Sequence, residues 1–284
     1  TIVSVIIPLY QIVAHPELSS AMQGLVGAMD LIGIMVGSTI IGKLSDKYGY
    51  LLFFRLCPLL ICVSSIISLL FPTLPVLIIC LFMMGFGIGG EYSLDSDYIS
   101  VLMPSKWEFT MVGVAKAASA LGNIIAAGVC FLIVKDWQNA DLWPRLMWIM
   151  VAISGLMIVV RIRFWQSPAW LMANGKSKEA EVAVHDFLGD DVNIEPAQKM
   201  PPSATKLSDN ISTLTFIRQN WKNVIFTGIP WACEGLGVYG IGVFLPILVM
   251  ALGLEHVSGH ETQLAHVASS VEITLWISCI ILPG

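Results

Sequence analysis

The chain has 284 residues, of which 56% are hydrophobic and only 12% are charged, with 15 Lys and Arg against 20 Asp and Glu. Soluble domains carry about 25% charged residues. This composition excludes a disordered chain, a nucleic-acid binder and most soluble enzymes, and it is typical of a protein embedded in a membrane.

Long apolar runs divide the sequence into predicted helices. A membrane-spanning helix needs about 20 apolar residues, because the hydrocarbon core is ~30 Å thick. The runs predict, in chain order, the end of a first helix, five complete helices, a seventh helix and the start of an eighth, at 1–13, 20–44, 51–71, 74–96, 109–134, 142–162, 224–252 and 265 onward. The first and last runs are cut short, so we expect a piece of a longer chain.

A polar stretch interrupts this series of apolar runs. It extends from 164 to 222 and includes a predicted short surface helix at 177–188. We therefore predict an all-α membrane helix bundle in three parts. These are an N-terminal transmembrane bundle (1–163), an inter-bundle loop (164–222) and the incomplete start of a C-terminal bundle (223–284).

Lysine and arginine are concentrated in alternate loops. The loops after the second, fourth and sixth predicted helices hold Lys43, Lys47, Arg55, Lys106, Arg161, Arg163, Lys176, Lys178, Arg218 and Lys222. Positive residues favour the cytoplasmic side of a membrane. We therefore predict a multi-pass protein of the cell membrane whose long 164–222 loop is cytoplasmic.

The first of these loops contains a recognisable motif, GKLSDKYGY, from Gly42 to Tyr50. Gly42 would allow a close helix approach, and Asp46 could meet a helix end or a basic partner. An ordinary charged turn is the alternative interpretation. Together with Lys47 and Gly49, these residues resemble the signature between the second and third helices of major facilitator superfamily transporters. The resemblance implies that they form a cytoplasmic gate.

Two further segments resemble the same superfamily. Residues 87–104 read GIGGEYSLDSDYISVLMP and are similar to the fourth helix of the sugar-porter and phosphate–proton symporter branches. Residues 166–180 read QSPAWLMANGKSKEA and are similar to the sugar-porter segment after the sixth helix. Val101 replaces the usual Glu, and the usual arginine-rich turn is reduced to Lys106, which we also assign to the gate. The resemblance implies two six-helix halves that alternate access to a central site.

Charged side chains inside membrane spans are costly and usually line a cavity. The apolar run ends at 96, but we expect the fourth helix to continue inward to about Val101–Pro104, so Glu91 lies about 15–18 Å below the cytoplasmic surface, at ~1.5 Å per residue. A carboxylic acid at that mid-membrane depth could take up a proton near neutral pH, because burial disfavours its charged form. The family resemblance also implies a proton-carrying or substrate-contacting acid there. A structural hydrogen bond to a neighbouring helix is the alternative.

Residues near Glu91 are candidates for the substrate cavity. Asp95 lies four residues further on the same helix face, and Tyr92 adjoins Glu91 in the motif. Lys116, in the fifth helix, could pair with Glu91 or Asp95, bind an anionic substrate or extend its ammonium group to the membrane surface.

The seventh and second helices supply the remaining candidates. The segment WACEGLGVYGIGVFLP resembles the seventh helix of phosphate–proton symporters, so Trp231 and Tyr239 are assigned to the cavity. Glu234 stands one residue from the family's acid and is a candidate for proton coupling. The glycines of this segment would loosen the helix, as in many transporter sites, or allow tight packing. Asp30, in the second helix, could line the cavity and couple protons, or hydrogen-bond across a close helix contact.

These features predict a secondary transporter that moves a small polar solute, such as a sugar, an organic acid or phosphate. Proton-coupled symport is the expected mechanism, and a facilitative uniporter or a non-transporting sensor or remnant is the alternative. The sequence shows no catalytic constellation, so we expect no enzyme activity, no cofactor and no metal site. The expected partners are the solute, protons and membrane lipid, without nucleic acid.

Overall fold

The described part of the chain is built from helices. The structure, a computed structural model, describes residues 2–13, 19–102, 107–136, 143–164, 166–188, 213–242, 244–252 and 263–281. In chain order these ranges hold α1 (Ile2–Val13), α2 (Ser20–Tyr48), α3 (Tyr50–Leu70), α4 (Leu74–Leu102), α5 (Glu108–Asp136), α6 (Trp143–Arg161), α7 (Pro168–Ala173), α8 (Ser177–Leu188), α9 (Thr213–Gln219), α10 (Trp221–Gly235), a π-helix (Leu236–Ile241), α11 (Leu245–Ala251) and α12 (Gln263–Ile281).

Five described helices are long and apolar enough to cross a membrane. Their spans are Gly24–Tyr48, Tyr50–Leu70, Leu74–Asp95, Phe109–Lys135 and Trp143–Arg161. The five complete helices predicted from the sequence are confirmed as α2 to α6. However, α2 and α4 continue past the ends of the apolar runs at 44 and 96. An apolar run shows where hydropathy falls, but the helix can keep its backbone hydrogen bonds for several polar residues beyond that point.

Helices α2 and α4 pack together through reciprocal glycines. A Cβ at Gly33 of α2 would overlap the carbonyl oxygen of Phe82, and one at Gly37 would overlap that of Phe86. From the other side, a Cβ at Gly85 or Gly89 of α4 would overlap the carbonyl oxygens of Asp30 and Ile34, respectively. Small residues let two helix backbones approach this closely. We call this contact the α2–α4 seam.

A large apolar core surrounds α1. Every described side chain of α1 from residue 2 to residue 10 is buried. The core also takes buried side chains from α4, α5, α6 and α12, including Leu81, Cys130, Leu146, Met147 and Val271. In addition, α5 packs extensively on α12, and α3 packs on both α4 and α6. The site described below lies where α3, α4 and α6 meet.

The predicted seventh helix, 224–252, is not continuous. It consists of α10, the π-helix and α11, with residue 243 outside the described ranges. Gly235, Gly237, Gly240 and Gly242 lie at and within the interruption. Glycine weakens a regular helix because it loses the most backbone entropy on folding. The loosening expected from these glycines is therefore present as a π-helix.

The chain divides into two compact units. One comprises Thr1–Phe164 and Gly242–Gly284, and the other comprises Trp165–Ile241. In the second unit, α7 and α8 form a small core of Leu171, Ala180 and Ala183. The turn between them has Gly175 at φ +75°, a conformation that favours glycine. The surface helix predicted at 177–188 is confirmed as α8.

Candidate functional site

A buried ion pair joins α4 to α6. Nη1 and Nη2 of Arg161 donate to Oε1 and Oε2 of Glu91 at 2.6 and 2.5 Å. The side chains of Arg161 and Glu91 are only 9% and 12% exposed. Such parallel bonds match the planar guanidinium to the planar carboxylate and are stronger than neutral hydrogen bonds. The pair therefore fixes the last residue of α6 against α4 while leaving little net charge.

Helix α3 supplies further contacts to the same guanidinium. Nη1 of Arg161 also donates to the carbonyl oxygen of Phe54 at 2.9 Å. The guanidinium carbon lies 4.4 Å from the centroid of the Phe54 ring, within cation–π range. Arg161 thus connects three helices, through a carboxylate of α4 and through both the backbone and the ring of one α3 residue. We call Phe54, Glu91, Asp95 and Arg161 the arginine cluster.

Asp95 is the outer acid of this cluster. It lies one helical turn after Glu91, and its Oδ1 is 3.7 Å from Nη2 of Arg161. Its side chain is 51% exposed, in contrast to that of Glu91. An exposed pair at this distance contributes little to stability, because water screens the attraction. The structure therefore assigns the tight contact with Arg161 to Glu91 and a looser one to Asp95.

The arginine cluster lies at one end of the membrane spans. Arg161 is the last residue of the α6 span, and the α4 span ends at Asp95, one turn beyond Glu91. Glu91 lies four residues before the end of that span and eleven residues, about 16 Å at ~1.5 Å per residue, before the end of α4 at Leu102. Its depth in the membrane stays a prediction.

A second arginine holds the end of α6. Nε of Arg55 donates to the carbonyl oxygen of Arg161 at 3.4 Å, and its Nη2 donates to those of Ile162 and Phe164 at 2.8 and 3.4 Å. The last carbonyl groups of a helix have no partner within it. Arg55 of α3 supplies donors for these carbonyl groups and so orients the residue that binds Glu91.

Asp30 is a buried acid of a different kind. It is 6% exposed, and its Oδ1 has no hydrogen-bond partner among the described residues. It lies in the α2–α4 seam, where a Cβ at Gly85 would be 3.0 Å from that oxygen. Gly85 is halfway along the α4 span Leu74–Asp95. Asp30 itself is the seventh residue of the α2 span Gly24–Tyr48.

The GKLSDKYGY motif, from Gly42 to Tyr50, lies at the junction of α2 and α3. Gly49 has φ +91°, and its N–H donates to the carbonyl oxygen of Ser45 at 2.8 Å, ending α2. A Cβ at Gly42 would lie 3.7 Å from that of Ser93, an ordinary contact with α4. Asp46 is exposed, and Nζ of Lys47 lies 5.3 Å from the centroid of the Tyr48 ring.

Other predicted site residues are exposed or lie outside the described part. Tyr92 and Lys116 are exposed on α4 and α5. The cation beside Glu91 and Asp95 is Arg161, in the place considered for Lys116. Lys106 lies outside the described residues. The structure places the backbones of Trp231 and Glu234 in α10 and that of Tyr239 in the π-helix, and it does not describe their side chains.

The sequence interpretation missed the site roles of Phe54, Arg55 and Arg161. It counted both arginines only as loop charges that set orientation. The overlooked signal is the run VVRIRF, in which Arg161 directly follows the apolar residues of the sixth helix without a polar spacer. A charged residue continuous with an apolar run is expected to need a buried partner.

Comparison with known proteins gives this architecture a family. The sequence profile described as "Sugar (and other) transporter" matches residues 7–275. The chain belongs to this family. Its transmembrane helix bundle is of the major facilitator type, and the resemblance read from the three motifs is confirmed. The family is one of membrane transporters, which makes this a multi-pass membrane protein.

Several family members align over most of the chain. The inner membrane metabolite transport protein YgcS of Escherichia coli K12 is 25% identical over 250 residues, which cover 86% of this chain and 53% of that protein. The putative metabolite transport protein YaaU of the same organism is 26% identical, over 87% of this chain and 54% of that protein. The arabinose-proton symporter of Bacillus subtilis 168 is 26% identical, over 94% and 58%. The chain thus spans about half the length of these relatives.

Solved structures share the fold. A partially occluded inward-open form of the xylose transporter XylE from E. coli superposes with a TM-score of 0.72 at 18% identity, over 99% of this chain and 66% of that one. A crystal structure of a D-xylose-proton symporter gives a TM-score of 0.65 at 17% identity, over 99% and 65%. At this identity the likeness concerns the fold alone.

Proposed function

We propose that this protein is a secondary transporter that moves a small polar solute across the membrane by alternating access, in symport with protons. The observation that carries the proposal is the family match over residues 7–275. The alignment with an arabinose-proton symporter over 94% of the chain supports proton coupling. A sugar is the first solute class to test, followed by organic acids and phosphate.

The arginine cluster has a mechanical role in this proposal. Alternating access requires each helix bundle to move as a largely rigid body around the site. The Glu91–Arg161 pair and the Phe54 contacts join α3, α4 and α6 at one end of the spans. Because the pair is close to neutral, it can stay buried throughout the cycle. Glu91 then acts as a structural anchor, and the proton is carried elsewhere.

The orientation and domain division read from the sequence are part of the same proposal. Lys43, Lys47 and Arg163 lie at the ends of α2 and α6 where the arginine cluster also lies. The bias of positive residues towards the cytoplasm supports a cell-membrane protein with that end, and the 164–222 loop, on the cytoplasmic side. Residues 1–163 then belong to the N-terminal bundle, and residues 223–284 begin the C-terminal bundle.

Uptake by the full-length protein in proteoliposomes tests the proposal. Radiolabelled arabinose, xylose, glucose, phosphate and a carboxylic acid are offered with and without an acid-outside pH gradient. Accumulation above the external concentration, dependent on the gradient, is the expected result for at least one solute. Each pH unit supports about tenfold accumulation when one proton moves with one solute. Proteoliposomes that transport none of these solutes would contradict the proposal.

A facilitative uniporter is the second candidate, and one observation favours it. Glu91, the acid first predicted to carry the proton, is held by two hydrogen bonds from Arg161. If no other acid binds and releases a proton during transport, the solute can only reach equal concentrations on the two sides of the membrane. Uptake that stops at equal concentrations and ignores the pH gradient identifies this alternative.

A further inference from the structure

The described residues that face Asp30 are apolar. On α4 the facing segment, Phe82–Phe86, is apolar except for its backbone, whose amides are used within the helix. On α1 the nearest side chain to the neighbouring turn of α2 is Ile7, and Phe244 approaches that same turn at Gly27. Asp30 therefore packs against hydrocarbon and helix backbone.

The helices that pack on α2 carry titratable groups away from the Phe82–Phe86 segment that faces Asp30. On α4 they are Cys80, Glu91, Tyr92, Asp95, Asp97 and Tyr98; the two nearest in sequence to Gly85 are Cys80 and Glu91, at five and six positions, and Glu91 already binds Arg161. On α1 the group is Tyr10, on α3 they are Tyr50, Arg55, Cys57 and Cys62, and on α2 itself they are Lys43, Asp46, Lys47 and Tyr48 near its C-terminal end. Among the described residues, none donates a hydrogen bond to Oδ1 of Asp30.

An ionised carboxylate without a partner is unstable in such a place. Burying an isolated charge is so costly that the group takes up a proton instead. A neutral carboxylic acid needs only modest compensation and fits the close approach of Gly85. A metal cation is a poor alternative, because hard cations need several oxygen ligands and the seam offers one carboxylate. Intramembrane acids of this kind commonly serve as proton carriers.

We infer that Asp30, buried in the α2–α4 seam, is the proton-binding carboxyl group of this transporter. The inference rests on the proposed proton symport and assigns the coupling to a residue other than Glu91. In the binding step, a hydronium ion gives its proton to the Asp30 carboxylate, leaving water and a neutral acid. In the release step, water accepts that proton as the seam becomes hydrated. The proton state of Asp30 is thereby coupled to the packing of α2 on α4.

Infrared difference spectroscopy of the purified full-length protein tests proton binding without any need for transport. A protonated carboxylic acid has a carbonyl-stretch band that shifts in D₂O. We expect this band at neutral pH in the wild type and in Asp95→Asn, and we expect its loss in Asp30→Asn. A wild type without the band, or an Asp30→Asn protein that retains it fully, overturns the inference.

Isotope labelling of the aspartate carboxyl groups gives a result even if Asp30→Asn does not fold. Wild-type protein grown with ¹³C in the aspartate side-chain carboxyl should show the band at a lower frequency. Asp30 is more than nine-tenths buried, whereas Asp46 and Asp95 are exposed to solvent. A band that the label does not move belongs to a glutamate and overturns the assignment to Asp30.

Transport assays in proteoliposomes then distinguish a loss of proton coupling from a loss of solute transport. In Asp30→Asn we expect pH-driven accumulation to fall to a ratio of about one, from about tenfold per pH unit. Exchange of labelled for unlabelled solute, which needs no net proton movement, should continue. Accumulation as in the wild type, or accumulation driven by Na⁺ in place of H⁺, overturns the inference. If the wild type transports nothing, the proposed function fails, while the infrared result still decides whether Asp30 binds a proton.

Discussion

Arg161 and Glu91 meet through two hydrogen bonds of 2.5 and 2.6 Å at the end of the membrane spans, and both side chains are nearly buried. Phe54 completes the environment of the guanidinium with its carbonyl group and its ring. A buried ion pair of this geometry is costly to break from one side, because the remaining charge loses its compensation. The following predictions concern this pair and the helices it joins.

Removing only one charge of the pair should destabilise the protein strongly. Glu91→Gln leaves the guanidinium of Arg161 buried without its carboxylate, and we expect a loss of about 3–5 kcal/mol. Arg161→Lys should also be destabilising, because an ammonium group cannot reproduce two parallel hydrogen bonds. Thermal unfolding in detergent, followed by a thiol-reactive dye at buried Cys57, Cys80 and Cys130, measures both effects.

The double variant Glu91→Leu with Arg161→Met is the control for this prediction. It removes both charges and keeps similar side-chain volumes, so much of the lost stability should return. If the double variant is as unstable as the sum of the single variants, the two charges act independently, and the pair does not explain the effect.

Asp95 should contribute far less than Glu91. Its side chain is half exposed and lies 3.7 Å from Arg161, so we expect Asp95→Asn to change stability by less than about 1 kcal/mol. The same dye assay measures it beside Glu91→Gln, and the effect should shrink further in high salt. An equal loss in both amide variants would show that Arg161 depends on the two acids alike.

The membrane helices were predictable because each contains an apolar run of spanning length. Hydropathy located α2 to α6, and the motif around Gly49 located the turn between α2 and α3. The ends of α2 and α4 were less predictable, because a helix continues into its polar extension after leaving the membrane.

The partners of the charged residues could not be predicted from the sequence. Arg161 is 70 residues from Glu91 in the chain, and their contact depends on how α4 and α6 pack. Arg55 reaches the end of α6 from over 100 residues away. A single sequence shows that Asp30 and Glu91 are acids in apolar runs, but only packing shows that one is paired and the other is not.

Arg55 should stabilise the C-terminal end of α6. Arg55→Ala removes donors to the carbonyl groups of Arg161, Ile162 and Phe164, and we expect a loss of about 1.5–3 kcal/mol. Hydrogen exchange measured by mass spectrometry should report faster exchange in peptides from the last turns of α6. Arg163→Ala, which changes another exposed arginine near the same end, is the matched control and should leave that exchange nearly unchanged.

The α2–α4 seam should tolerate no side chain at its glycines. In Gly85→Ala the new Cβ would overlap the carbonyl oxygen of Asp30 and crowd its Oδ1. The two helix backbones would have to separate, so we expect a loss of stability of the size seen on overpacking a core, about 1–3 kcal/mol. The unfolding midpoint in detergent measures this loss.

Gly113→Ala is the matched control for the seam, because a Cβ at Gly113 of α5 meets nothing within 4 Å. Alanine in an exposed helix position is favoured over glycine by roughly 0.5–1 kcal/mol, so this variant should be slightly more stable than the wild type. The two substitutions add the same methyl group to a helix and should shift the midpoint in opposite directions. Equal shifts in both variants would mean that α2 and α4 are not in the close contact described, and would remove the packing basis for the role assigned to Asp30.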